Sequence, residues 1–176
     1  MSITTKTGDN GKTSLSFGER VFKDDLRVKA AGTLDELCSF MGLAKSLIHD
    51  NNTKKIIEDI QRDLFIIGAE TVTLPKYLEK LGKRIDNNFV LKLEKLIRQR
   101  ESKKKFKAHC FYLPGENETS SCFDVSRTIA RRAERMVVCL KRKKILKNNY
   151  IAVYLNRLSD LLYLFARNYE KKPKRK

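Results

Sequence analysis

Apolar residues recur every three or four positions along most of the chain, the spacing that lines one face of an α-helix. Leu26, Ala30, Leu34, Leu37, Met41, Ala44 and Ile48 form a first stripe, and Asp24-Asp25 stands before it as a cap. A second stripe runs through residues 53–71 with Ile56, Ile57, Ile60, Leu64 and Ile67, and it stops before Pro75. A third follows Asp86 and carries Phe89, Leu93, Leu96 and Ile97. Residues 102–123, which include "CFYLPGENETSS", read as a linking loop. A fourth stripe carries Val125, Ile129, Ala133, Met136, Val137 and Leu140; a fifth carries Tyr154, Leu155, Leu158, Leu161, Leu162 and Phe165. Five amphipathic helices with short connections predict an all-α fold, an antiparallel bundle.

A length of 176 residues with 41% hydrophobic content fits one domain with a real core. Residues 1–170 are expected to form that domain, with an N-terminal segment over 1–23, a bundle over 24–170 and a basic tail over 171–176. The net charge of +17 suggests an anionic partner without separating nucleic acid from ATP or from simple solubility. The 4 cysteines form no C-x-x-C pair, and His49 and His109 complete no zinc pattern. Free thiols in a reducing compartment are expected. With no secretory pattern and no apolar run long enough to span a bilayer, the expectation is a cytoplasmic protein without a membrane partner.

The N-terminal stretch "TKTGDNGKTSL" resembles half of a phosphate loop, but the position five before Gly11 is Lys6 rather than glycine. Too few residues precede it for a central strand, so it is not a Walker element. Gly8 and Gly11 still permit positive φ, and turns of this kind aim consecutive amides at an anion. Lys6 and Lys12 add charge, while Thr5, Thr7, Thr13 and Ser14 add hydroxyls. A plain polar hairpin turn is the alternative.

On the fourth helix Arg127, Arg131 and Glu134 share a stripe flanked by Arg132 and Arg135. It is either a solvated face with local ion pairs or a frame of forked donors for a polyphosphate. On the fifth, Asn156, Asp160, Tyr163 and Arg167 form a polar stripe, either exposed surface or a contact to base, sugar or phosphate. On the first, Ala31, Asp35, Cys38 and Gly42 form a narrow stripe of mostly small residues. Asp35 needs a partner if it is covered, and Arg127 is the candidate.

Taken in order, "TKTGDNGKTSLSFGERVFKDDLRV", "GTLDELCSFMGLA", "FYLPG", "SRTIARRAERMVV" and "YLNRLSDLLYLFAR" resemble the ATP:cob(I)alamin adenosyltransferases of the PduO type over nearly the whole chain. The resemblance implies a ferritin-like, up-down five-helix bundle with a mobile N-terminal nucleotide-binding loop, assembled as a homotrimer with active sites between subunits. It implies transfer of the 5′-deoxyadenosyl group of ATP to Co(I) of cobalamin, with Mg²⁺ carried by the phosphates and no assigned protein ligand to the metal. Cobalt is then the nucleophile, which suits a sequence with no catalytic serine, cysteine or histidine constellation.

Carried onto matching positions, the resemblance implies that Thr5, Lys6, Thr7, Gly8, Thr13 and Ser14 wrap the triphosphate and that Lys23 adds a phosphate contact. Arg131, Glu134, Arg135 and Asn156 complete the ATP site, and Arg127 pairs with Asp35 across the subunit interface. The resemblance further implies that Phe111 sits below the corrin and displaces the lower axial ligand, easing reduction of Co(II) to Co(I); a plain core aromatic is the alternative. A reductase and a cobalamin-dependent mutase are the implied protein partners. The chain departs from the family pattern at Glu116, at Phe123-Asp124 and at Cys38, all on the cobalamin side. Two rival readings are a corrinoid carrier without catalysis and a basic helical nucleic-acid binder; no RNA- or DNA-binding module supports the latter.

Overall fold

The computed structural model describes residues 3–102 and 112–170. Five long helices dominate it: α1 (Leu26–Ser46), α2 (Asn51–Thr71), α3 (Asn87–Glu101), α4 (Glu118–Arg142) and α5 (Asn149–Tyr169). Each begins on an aspartate or asparagine whose side chain accepts from the first-turn amides: Asp25, Asp50, Asp86, Asn117 and Asn148. These donors have no partner inside the helix, so a short acceptor fixes where each helix starts.

Side-chain contacts set the directions. Lys45 meets Glu58 and Gln61 meets the Cys38 carbonyl, so α1 and α2 are antiparallel. Thr33 meets Met136 and Glu36 meets Arg132, so α4 is antiparallel to α1. Asn156 meets Glu134 and Arg167 meets Asp124, so α5 is antiparallel to α4. Glu94 meets Arg157, and the Arg100 guanidinium lies 4.7 Å from the Phe165 ring, so α3 and α5 run parallel. The chain is thus an up-down bundle with alternating helix direction, as the apolar stripes predict. Leu37, Met41, Ile57, Ile67, Leu140, Leu155 and Phe165 are wholly buried in its core.

The fourth helix corrects the sequence reading. It starts at Glu118 rather than after Phe123, because Asn117 and Ser120 form a reciprocal capping box. Phe123 is therefore a helical core residue, stacked on Phe165 with centroids 5.1 Å apart and on Tyr169 at 5.7 Å. Val125, expected in the core, is 40% exposed. Ahead of α1 lies a short hairpin, β1 (Lys12–Ser14) antiparallel to β2 (Arg20–Phe22), with Thr13 opposite Val21. Among the described residues no helix is long and apolar enough to cross a membrane.

One buried polar pair ties α2 to α5. The Tyr154 hydroxyl, fully buried, donates to Asp63 Oδ2 at 2.9 Å. Burial raises the Asp63 carboxyl above its usual 3.8, opposed by the bond from Tyr154. A carboxyl raised by folding contributes stability that is complete below its unfolded pKa and is lost as pH rises through the folded value. The stability of the wild-type chain relative to Asp63→Asn, measured by urea melts, should therefore fall as pH rises above about 4. A difference that grows with pH would contradict this reading of the pair.

Candidate active site

The sequence-predicted residues fall into two groups, each organised by its own bonds. The first is the hairpin and the loop before it. Gly11 adopts φ 77°, Gly11 N donates to Gly8 O at 3.2 Å, and Lys23 N donates to Gly11 O at 2.9 Å. Lys12 N donates to Asn10 Oδ1 at 3.3 Å, closing the turn locally. The Lys23 ammonium lies directly over Gly8: a Cβ there would stand 3.3 Å from Nζ. The Thr5 and Thr7 hydroxyls are 3.0 Å apart. Lys6 is exposed with φ 56°, and Thr13 is half-buried on β1.

Sequence reasoning missed the residue that stitches this loop. Arg20, on β2, donates through Nη2 to Thr7 O at 2.6 Å and Lys12 O at 3.4 Å, and through Nη1 to Ser14 Oγ at 3.3 Å. One guanidinium thus shapes the turn that carries Gly8, Thr13 and Ser14. The hairpin pairing that places Arg20 opposite Ser14 is the signal that would have found it.

The second group lies along the seam of α4 and α5. Asn156 Nδ2 donates to Glu134 Oε1 at 3.2 Å, its Oδ1 accepts from Arg157 Nη1 at 2.6 Å, and Arg157 Nε donates to Glu94 Oε1 at 3.1 Å. This chain fixes which way the Asn156 amide faces. Arg131 is exposed beside this seam, and Arg135 lines a cleft of about 290 Å³ with Leu26, Arg132, Met136 and Cys139. Arg132 itself is engaged by Glu36 of α1.

Arg127 and Arg167 each have an in-chain partner that the sequence reading did not name. Arg127 pairs with Asp124 one turn earlier on α4, Nε to Oδ1 at 3.3 Å, whereas the expected partner Asp35 was one across a subunit interface. Asp35 is no partner within the chain because of the register of α1 on α4. Glu36 meets Arg132, which leaves exposed Asp35 far along the seam from Arg127. Arg167, read as part of an outward stripe, is 2% exposed. Its Nη2 donates to Asp124 Oδ2 at 2.5 Å and lies 2.6 Å from Glu170 Oε1, with the Tyr163 and Tyr112 rings 5.2 Å and 5.6 Å from the guanidinium. Burial raises the Glu170 carboxyl, and Arg167 opposes the rise. Asp124 is thus a buried acceptor serving two arginines. Phe111 lies outside the described residues; its neighbour Tyr112 is the ring held against Arg167.

Among the described residues no cluster of three or more His, Cys, Asp and Glu could hold a metal ion. What the arrangement offers instead is a turn rich in hydroxyls and ammonium groups and, separately, arginines beside an oriented amide. Both suit a polyphosphate ester better than a protein-bound metal.

Known proteins resemble this one over nearly the whole chain. A model of the cobalamin adenosyltransferase family matches residues 3–169. A corrinoid adenosyltransferase of Citrobacter freundii is 38% identical over 171 residues, 97% of this chain and 96% of the relative. A corrinoid adenosyltransferase PduO of Salmonella typhimurium is 39% identical over 167 residues, 95% of this chain but 49% of the relative. A solved structure of a phenylalanine-to-alanine variant of a PduO-type ATP:corrinoid adenosyltransferase from Lactobacillus reuteri, complexed with cobalamin and ATP, matches with a TM-score of 0.88 at 32% identity. The match covers 99% of this chain and 97% of that one.

The Asp124 network yields a stability prediction. Asp124→Ala removes the carboxylate shared by Arg127 and buried Arg167, and should lower the unfolding free energy by about 3 kcal/mol in denaturant melts. A loss below about 1 kcal/mol, the range of exposed pairs, would mean the network is not coupled to folding.

Proposed function

The chain belongs to the cobalamin adenosyltransferase family, and from that membership we propose that it transfers the 5′-deoxyadenosyl group of ATP to Co(I) of cobalamin, releasing triphosphate. The observation that carries the reading within this molecule is the hairpin turn, where the Lys23 ammonium covers Gly8 in a segment that also carries the hydroxyls of Thr5, Thr7, Thr13 and Ser14.

The reaction asks little covalent chemistry of the protein. The Co(I) lone pair forms the bond to C5′, the C5′–O bond breaks, and its electrons leave with triphosphate, so cobalt ends as Co(III). Negative charge grows on the departing oxygen, and fixed cations that meet it lower the barrier. In this reading Thr5, Lys6, Thr7, Gly8, Thr13, Ser14 and Lys23 hold the triphosphate. Arg131 and Arg135 supply further cations from α4, while Glu134 and Asn156 orient the nucleoside end. Holding ATP and corrin in register supplies the rest of the acceleration.

The hairpin at one end of the bundle and the α4–α5 seam along its side are joined across subunits in a homotrimer. There Asp35 of one protomer pairs with Arg127 of its neighbour, in exchange for or in addition to Asp124. Mg²⁺ would arrive with the phosphates of ATP and would offset part of their charge, and no residue of this chain is assigned to hold it. Phe111 displaces the lower axial ligand of cobalamin and so raises the Co(II)/Co(I) potential. A reductase that supplies the electron and a mutase that takes the product complete the reading, in the cytoplasm.

The test is an anaerobic assay with chemically reduced cobalamin, ATP and Mg²⁺, following the Co(I) spectrum. Wild-type chain should convert it to the adenosylated product, and Arg131→Ala should cut turnover by about 100-fold or more while keeping its helical content. Near-normal turnover of Arg131→Ala would remove that residue from the site. Cobalamin binding without product would favour the carrier. In Co(II) spectra taken with ATP, Phe111→Ala should lose the four-coordinate signal; its persistence would assign the displacement to another residue.

A further inference from the structure

The hairpin buries little of its own. Its strands have three residues each, and Leu15, at 5% exposure, is its one buried hydrophobic residue. A two-stranded ribbon of this size is not stable alone in water. Its position must come from what it leans on, and the bonds that hold it converge on one segment, the end of α2 and the 3₁₀ turn Pro75–Lys80.

Ser16 N donates to Val72 O at 3.2 Å. The Phe17 ring packs on Tyr77 with centroids 5.1 Å apart, and the Lys80 ammonium sits over both rings, 5.6 Å from Phe17 and 5.2 Å from Tyr77. Lys76 pairs with Glu19 at 3.7 Å. Phe17 adopts φ 68°, a left-handed conformation that a bulky residue keeps only when its surroundings hold it.

Behind that segment lies Arg27, 7% exposed in the first turn of α1. Its Nη1 donates to Thr71 O at 3.0 Å and to Thr73 O at 3.4 Å, and its Nη2 donates to Ile145 O at 3.1 Å in the connection from α4 to α5. The two carbonyls gripped by Nη1 flank Val72, the residue whose own carbonyl receives Ser16 N. A cation in the first turn of a helix opposes the local dipole, so Arg27 is not there to stabilise α1. It caps the carbonyl end of α2 instead and ties it to the far loop of the bundle.

We infer that Arg27 is a positioning residue for the nucleotide site: by clamping the carbonyls on either side of Val72 it fixes the ledge on which the hairpin, and with it Gly8, Thr13, Ser14 and Lys23, is seated. The inference rests on the hairpin being the triphosphate site. It assigns Arg27 no contact with ATP.

Arg27→Met keeps the stem of the side chain and removes its donors. Calorimetric titration with ATP and Mg²⁺, without cobalamin, and the two Michaelis constants of the transfer reaction read the effect. The dissociation constant and KM for ATP should each rise about ten-fold while KM for cobalamin stays within about two-fold. Arg27→Lys, which keeps the charge but cannot fork to three carbonyls, should recover only part of the loss. Tyr77→Ala lies on the surface side of the ledge and spares the buried clamp. It should raise KM for ATP in the same direction with the bundle's melting temperature nearly unchanged, and so reads the ledge even if Arg27→Met folds poorly. A lowered melting temperature with unchanged ATP binding in Arg27→Met, or normal ATP binding in Tyr77→Ala, would overturn the inference. Wild-type chain that does not bind ATP at all would instead sink the nucleotide reading beneath it.

Discussion

Buried helix ends must find partners for their free backbone groups, and in this chain that requirement shapes the end of the bundle where the hairpin sits. The Gly68, Ala69 and Glu70 carbonyls are met by Val72 N, Thr73 Oγ1 and Thr73 N, which leaves Thr71 O at the end of α2 and Thr73 O just beyond it without a donor from the helix. Arg27 meets Thr71 and Thr73 there and reaches across to Ile145. Burial lowers the pKa of its guanidinium and Asp25 opposes that shift, so the clamp is a charged group held by neutral acceptors beside its own helix cap. Once those carbonyls are fixed, Val72 presents the next one outward to Ser16, and a ribbon with almost no core of its own acquires a defined place.

The bundle and the hairpin divide the work that a group transfer to cobalt requires. Cobalt supplies the nucleophile, so the polypeptide supplies position and fixed charge. Rigid helices provide the oriented pair Glu134–Asn156, locked through Arg157 to Glu94. The hairpin provides hydroxyls and ammonium groups on a glycine turn that Arg20 braces from within. The excess of basic residues, +17 overall, then has a reading beyond solubility: an anionic nucleotide is drawn to the surface that binds it.

Much of the bundle was legible because periodicity and capping are local signals. Asp25 and Asp86 mark helix starts, and the apolar stripes mark the faces that meet, while the Asp50 cap starts α2 at Asn51, two residues before the stripe suggested. The start of α4 was hidden because Asn117, Glu118, Thr119 and Ser120 look like loop residues until their reciprocal cap is seen. Resemblance put forward Thr5 to Ser14, Lys23, Glu134 and Asn156; the hairpin pairing and the bond from Asn156 to Glu134 are what the structure adds. The in-chain partner of Arg127 was not legible, because Asp124 lies one turn earlier on the same helix, in a stretch read as loop until the true start of α4 is seen. Arg167 shares a stripe with polar neighbours yet is buried, because two carboxylates and two tyrosine rings enclose it. Arg20 and Arg27 act mainly on backbone carbonyls, which leave no pattern in a sequence; the hints were the hairpin pairing of Arg20 with Ser14 and, for Arg27, a cation placed where the α1 dipole disfavours it.

The central claim is that this end-of-bundle hairpin is where the triphosphate binds. Amide hydrogen exchange with and without ATP and Mg²⁺ tests it most directly, because each amide reports its own protection. The account predicts that ATP slows exchange across residues 5–23, most of all at the turn from Gly8 to Ser14, with smaller changes along the α4–α5 seam. Protection confined to the helices, with the hairpin exchanging as fast as in the free chain, would contradict it.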